Sequence, residues 1–358
     1  MRIGLVIYGS LETISGGYIY DRKLVEFLRL HGDQVEIISL PWRDYPRHLL
    51  DNLSGSLARR LQNFQVDVLL QDELNHPSLF STNQRMVRSC PVVSIVHHLR
   101  SSEARADWQN HFYRLFEQSY LRSVDGFIFN SCTTQRAVQS LVGDGYPSVV
   151  AYPAGDRLSS GITEDEIILR SIQPGPLRLL FLGNVIPRKG LHVLLEALSR
   201  LPAGTWELSV VGRLDVDRAY ARRVFRMVAE RGLAGGVIFP GPLDEERLSA
   251  VLSNSQLLVV PSSYEGFGIA YLEGMGFGIP AIAASTGGAA EIIHQGINGY
   301  LIDPGDWRSL AGHLGELAED RQRLRGLSLA ARQSFAAHPT WEQSGQKIRD
   351  YLVGIVEA

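Results

Sequence analysis

The chain has 358 residues, 45% of them hydrophobic, and a formal net charge of −3. Single hydrophobic cores stop growing near ~250–300 residues, so this length predicts two domains. The near-neutral balance argues against a nucleic-acid partner, and two cysteines, Cys90 and Cys132, make neither a disulfide framework nor a zinc site and fit a reducing compartment.

Met1 to Ile7 runs directly into a strand-like segment, without the apolar stretch and small-residue cleavage site of a signal peptide. No apolar run reaches the ~18–20 residues needed to span a bilayer. The expected location is cytoplasmic, with contact at the inner membrane surface left open. In the first half, β-branched runs predict strands at 3–8, 35–39, 66–70, 92–96, 126–129 and 148–151. Helical periodicity fills most of the gaps. Between the second and third strands, Arg43, Arg47, His48, Arg59 and Arg60 interleave with Leu49, Leu50, Leu53, Leu57 and Leu61. Read as one helix, this segment is apolar on one face and basic at its edges. Such a helix either packs on its own domain or lies weakly on an anionic membrane.

The pattern breaks at Tyr152-Pro153-Ala154-Gly155-Asp156 and resumes after Pro174-Gly175-Pro176. This is the expected hinge. Further strands are predicted at 177–182, 207–211, 237–240, 257–260 and 281–284. Continuous apolar strands alternating with amphipathic helices predict an α/β protein with two doubly wound parallel sheets, facing each other across a cleft. The expected domains are 1–155, 156–335 and a C-terminal helical segment 336–358. In such sheets ligands bind at the carboxyl ends of the strands.

Two strand ends in the second half carry the strongest signals. The strand 257–260 leads into Ser262, Glu265, Gly266, Phe267, Gly268 and Glu273. Glycines let backbone approach a ligand, and a helix starting near Gly268 offers free N–H groups and a positive dipole end. Together they suit a diphosphate. Glu265 and Glu273 could accept from a hydroxyl-rich ligand at two points along it. The strand 177–182 ends in Gly183-Asn184 and then Arg188-Lys189-Gly190. Lys189 is one of three lysines, with Lys23 and Lys347, in an arginine-dominated chain. Arg188 and Lys189 could neutralise phosphate charge.

These stretches, together with Gly287-Gly288-Ala289-Ala290-Glu291 and the segment Gly296 to Asp306, resemble family 4 of the retaining glycosyltransferases. That family has the two-domain GT-B fold and a glutamate–seven residues–glutamate motif, which Glu265 and Glu273 match. The resemblance is strong from about Leu177 to Asp306 and weaker over the first half. It implies an acceptor-binding first domain, a second domain that binds the nucleotide-sugar, and a terminal helix crossing back onto the first domain. By similarity, Glu265 contacts donor hydroxyls, Glu273 the ribose and Lys189 the diphosphate, with Arg188 assisting. The backbone of Gly266, Phe267 and Gly268 cradles the donor. Many relatives have an arginine where this chain has Asn184, and Arg213 is the candidate replacement cation. In the first half, Gly16 and Gly17 would lie beside the donor phosphates. His97, which fits the strand-end pattern better than His98, would lie near the reacting sugar.

The resemblance further implies retaining transfer without a metal or other cofactor, from a UDP- or GDP-sugar to an unidentified hydroxyl acceptor. Asp215-Val216-Asp217 is the metal-binding alternative, and its plain reading is acidic charge at a helix N-terminus. A dehydrogenase would need a Gly-x-Gly-x-x-Gly turn after the first strand, which Gly9-Ser10-Leu11 does not supply. A non-catalytic, donor-binding relative stays open, Asn184 being the visible loss.

Overall fold

The computed structural model describes residues 1–13, 15–86, 89–158 and 161–358. They form two compact units, Met1–Pro153 with Pro339–Ala358, and Ala154–His338.

The first unit runs β1 (Arg2–Tyr8), α1 (Gly16–Leu30), β2 (Gln34–Leu40), α2 (Tyr45–Asp51), α3 (Gly55–Gln62), β3 (Val68–Asp72), α4 (His76–Arg85), β4 (Val92–Val96), α5 (Asp107–Leu121), β5 (Gly126–Phe129), α6 (Cys132–Val142) and β6 (Ser148–Val150). All six strands are parallel, in the order β2-β1-β3-β4-β5-β6. Alternation along β1 sends Ile3, Leu5 and Ile7 to one face and Val6 and Tyr8 to the other. Each face is covered by helices, which is why β3 and β4 are buried along their whole length. Ser131 caps α6 by accepting from the Thr134 N–H at 3.0 Å.

The second unit runs α7 (Glu164–Ile172), β7 (Leu177–Leu182), α8 (Leu191–Leu198), β8 (Trp206–Val211), α9 (Arg218–Glu230), β9 (Val237–Gly241), α10 (Glu245–Asn254), β10 (Leu257–Val260), α11 (Ile269–Gly276), β11 (Ala281–Ala284), β12 (Gly299–Ile302), α12 (Trp307–Glu319) and α13 (Arg321–Ala337). Its parallel sheet has the order β12-β11-β10-β7-β8-β9. Strand β12 was not anticipated. It directly follows Gly296-Ile297-Asn298, a turn-forming run that makes the whole stretch read as loop.

The chain then returns to the first unit as α14 (Trp341–Glu357). Thr340 and Gln343 form its capping box. Ile348 and Leu352 enter the core with α1, and the Tyr351 hydroxyl accepts from the Phe127 N–H at 3.0 Å while donating to the Pro147 carbonyl at 2.9 Å. Arg349 binds Asp33 at 2.7 Å.

The amphipathic segment from Arg43 to Arg60 is two short helices rather than one. Asn52 is buried and donates to the Leu49 and Pro77 carbonyls, and Ser54 then caps α3. Leu61 is buried and Leu57 half-buried, but Leu50 and Leu53 are exposed.

Both sheets have a switch point, where successive connections leave in opposite directions: between β1 and β3, and between β7 and β10. Crevices at strand carboxyl ends open there.

Candidate active site

In the second unit, the loops after β7 and β10 converge at that switch point. Val260 ends the fully buried β10, and the chain turns through Ser262 and Glu265, both buried. The Lys189 ammonium, in the short turn after β7, pairs directly with Glu265 Oε1. The Ser262 hydroxyl donates to the same oxygen at 2.7 Å. Arg188 donates to the Tyr264 carbonyl at 2.7 Å and lies 3.8 Å from Glu265 Oε2. Burial alone would raise the Glu265 carboxyl. Lys189, then Arg188 and the Ser262 hydroxyl, outweigh it and hold the carboxyl down at about 2. Burial in turn lowers the Lys189 ammonium from its usual range, against the pull of Glu265. The cluster is thus one buried anion held by two cations, with positive charge to spare.

The glycine pair of the Gly287-Gly288-Ala289-Ala290-Glu291 segment shapes this turn. Gly287 has φ +69, and a Cβ there would sit 1.7 Å from the Glu265 carbonyl oxygen. The Gly288 N–H donates to that carbonyl at 2.9 Å. Only a glycine permits both the left-handed backbone and the approach.

Gly266, Phe267 and Gly268 lead into α11. Phe267 is buried, and Gly268 caps the helix with φ 110. Glu273 lies in the middle of α11, buried, and is bound by Arg157 through Nη2 at 2.6 Å and Nε at 3.0 Å. Arg157 also reaches Glu245 at 2.8 Å. Burial raises the Glu273 carboxyl and Arg157 opposes this. The sequence reading missed Arg157. It sits between the break at 152–156 and α7, 116 residues from its partner, where no local pattern marks it.

Arg213, the candidate replacement cation, lies beside Asn184: its backbone N–H approaches Asn184 Oδ1 at 3.4 Å. Its guanidinium is engaged bidentately by Asp215, both contacts at 2.9 Å. Asp217 caps α9, accepting from the Tyr220 N–H at 2.9 Å. Both acids of the Asp-x-Asp triplet therefore have structural partners.

In the first unit, Ser15 caps α1 and Gly16 and Gly17 form its first turn. His97 directly follows β4, is buried, and packs against that turn: a Cβ on Gly17 would lie 3.0 Å from His97 Cδ2. His97 Nε2 is 3.1 Å from Asp21 Oδ1 on α1. Asn130 donates to the His97 carbonyl at 2.8 Å. The adjacent His98 has a different partner, Glu103, at 3.0 Å. The sequence reading missed Asp21, although a signal was present: Tyr18, Asp21, Leu24, Val25 and Leu28 form the buried stripe of α1, so an acid occupies a core-facing position.

Residues 165–334 match the family model described as glycosyl transferases group 1. A D-inositol 3-phosphate glycosyltransferase from Nocardia farcinica is 28% identical over 240 residues, which cover 64% of this chain and 52% of that protein. The chain therefore spans about half the length of the curated relatives it matches. Sucrose-phosphate synthase from Thermosynechococcus elongatus superposes with a TM-score of 0.84 at 21% identity, over 99% of both chains. Anabaena HepE in complex with UDP-glucose superposes with a TM-score of 0.77 at 19% identity, over 99% of this chain and 100% of that one. The segment that builds the Lys189–Glu265 cluster thus carries the glycosyl transferases group 1 match, and the chain has the α/β, two-sheet GT-B fold of solved glycosyltransferases.

Proposed function

We propose that the protein is a retaining, metal-independent glycosyltransferase that transfers a hexose from a UDP- or GDP-sugar to a hydroxyl acceptor. The observation that carries this reading is the buried Lys189–Glu265 cluster, with Arg188 and Ser262, at the β7/β10 switch point beside α11. Its excess positive charge and the α11 N-terminus suit a diphosphate leaving group.

In this mechanism the bond between sugar and diphosphate breaks, and Lys189 with the α11 N-terminus stabilises the departing phosphate. Glu265 aligns the ammonium and accepts from donor hydroxyls. Glu273 binds the ribose, and Arg157 shares its carboxylate. The acceptor hydroxyl attacks from the face the leaving group vacates; its oxygen forms the new bond to the sugar carbon and its proton passes to the departing phosphate. Arg213 supplies further positive charge by exchanging Asp215 for a phosphate oxygen.

The same reading includes a cytoplasmic location with weak peripheral contact at an anionic membrane. Among the described residues no helix is long and apolar enough to cross a membrane. Exposed Trp42, Leu50 and Leu53 alongside exposed Arg47, Arg59 and Arg60 support surface contact.

The test is nucleotide release from a panel of UDP-, GDP- and ADP-sugars, with and without EDTA. Selective release from one donor, unaffected by EDTA, is expected. EDTA-sensitive turnover would return Asp215 and Asp217 to consideration, and no binding of any donor would favour the non-catalytic relative.

A further inference from the structure

At the first-unit switch point, three ionisable side chains are buried together: Asp21 on α1, Asp72 at the end of β3 and His97 at the end of β4. Their ligand atoms all lie within 4.8 Å of one another. Asp72 Oδ1 accepts from the Leu74 N–H at 2.9 Å. Asp72 Oδ2 and Asp21 Oδ2 have no hydrogen-bond partner among the described residues. His97 bonds through Nε2 alone, and its Nδ1 makes no hydrogen bond to a described residue. Near the ring lie also Tyr20 on α1, edge-on at 5.3 Å, and Glu73 in the turn after β3, while Tyr18 on α1 lies near Asp21 and Asp72. In this set the acids outnumber the base, and the base is His97.

We propose that Asp21 and Asp72 are positioning residues that hold His97 as an imidazolium with Nε2–H fixed on Asp21, so that Nδ1 is a proton-bearing donor beside the α1 glycine turn. Two buried carboxylates a few ångströms apart are costly unless a cation lies between them or one is protonated. Here the His97 ring, with Nε2 3.1 Å from Asp21, is placed to be that cation. Burial alone would lower the imidazole, but Asp21, through its charge and hydrogen bond, and then Asp72 and Glu73 raise it to about 9. Burial, reinforced by Asp21, pushes Asp72 well above the usual carboxylate range. At neutral pH His97 is therefore charged.

The tautomer decides the chemistry. With Nε2–H donated to Asp21, a neutral ring would present a lone pair at Nδ1 and could take a proton from a ligand. The imidazolium presents an N–H and can only donate. His97 therefore binds an oxygen of its ligand, as a charged donor, and is not a resting general base. That the ligand is a sugar or its leaving group rests on the transferase reading. The charge state does not.

The experiment is an NMR titration of the His97 imidazole in the intact chain over about pH 5 to 10. The wild-type midpoint is expected near 9, with Nε2 protonated throughout. Asp21→Asn is expected to bring it to or below the ordinary 6.5, a loss of ~10² in proton affinity, and Asp72→Asn to lower it less. A wild-type midpoint at or below 6.5, or one that Asp21→Asn leaves in place, overturns the proposal. If Asp21→Asn does not fold, the wild-type midpoint and Asp72→Asn still decide. No donor is needed, so this result is independent of whether the sugar panel succeeds.

Discussion

The two switch points are electrostatic opposites built on the same plan. At β7/β10 a buried carboxylate, Glu265, is surrounded by the cations Lys189 and Arg188. At β1/β3 a buried imidazole, His97, is surrounded by the acids Asp21, Asp72 and Glu73. Each places an ionisable side chain at a strand end, and each pairs it with a residue 76 positions away. Surplus positive charge suits a phosphate, whereas an imidazolium held by acids presents one charged N–H to a ligand oxygen. Fold alone does not separate the two crevices; the polar residues at their strand ends do.

Lys189→Ala attacks the phosphate side of this contrast and should have the largest effect. It removes one preorganised donor, and turnover of the preferred sugar nucleotide should fall by ~10²–10³. It also leaves Glu265 buried, with Arg188 as its remaining cation, so stability should fall by about 3 kcal/mol. Steady-state kinetics and denaturant melts read the two effects separately. Gly287→Ala should come next. The new methyl meets the Glu265 carbonyl from a left-handed backbone, at an expected loss of about 1–3 kcal/mol and a donor KM raised by displacement of the Glu265 turn.

Arg157→Ala sharpens the comparison within the second unit. It leaves Glu273 buried without its cation, so the carboxyl should rise further and the nucleotide should bind less tightly, by about tenfold. Calorimetry with UDP or GDP reads this directly.

pH should act oppositely on the two crevices. Glu265 is depressed, so its stabilisation is present above its ordinary 4.5 and is lost as pH falls toward about 2. His97 is raised, so its stabilisation is complete below 6.5 and is lost as pH rises through about 9. Glu265→Gln should flatten the acid limb of a stability–pH curve, and His97→Gln the alkaline limb. The smallest effect expected is at the surface. Trp42→Ala with Leu53→Ala should weaken sedimentation with anionic vesicles severalfold while leaving turnover of a soluble acceptor unchanged.

Most of the fold was legible because parallel strands buried on both faces are continuous apolar runs. Eleven of the twelve strands hold β-branched or apolar runs that mark them, interrupted by polar residues in β2, β7 and β8, and β12 is the exception. The placement of Lys189 and Glu265 after strand ends, and of Glu273 in the helix that follows β10, was legible in the sequence. Their partners were less so. Arg157 meets Glu273 across 116 residues and Asp72 meets His97 across separate strands, and hydrophobic periodicity says nothing of ion pairs formed that way. Asp21 was within reach, since an acid in the apolar stripe of α1 conflicts with the pattern around it. The segment from Arg43 to Arg60 misled for the converse reason. Its leucines suggest one helix, but Asn52 is drawn into the first-unit core and Ser54 starts a new helix.

The cation-rich β7/β10 crevice is expected to bind a nucleoside diphosphate. Calorimetric titration of the intact chain with UDP and GDP, for wild type and Lys189→Ala in EDTA, tests it most directly. Binding of at least one nucleotide by wild type, weakened about tenfold or more in the folded variant, is the expected result. Equal affinity in the two proteins, or no binding of either nucleotide by wild type, would contradict it.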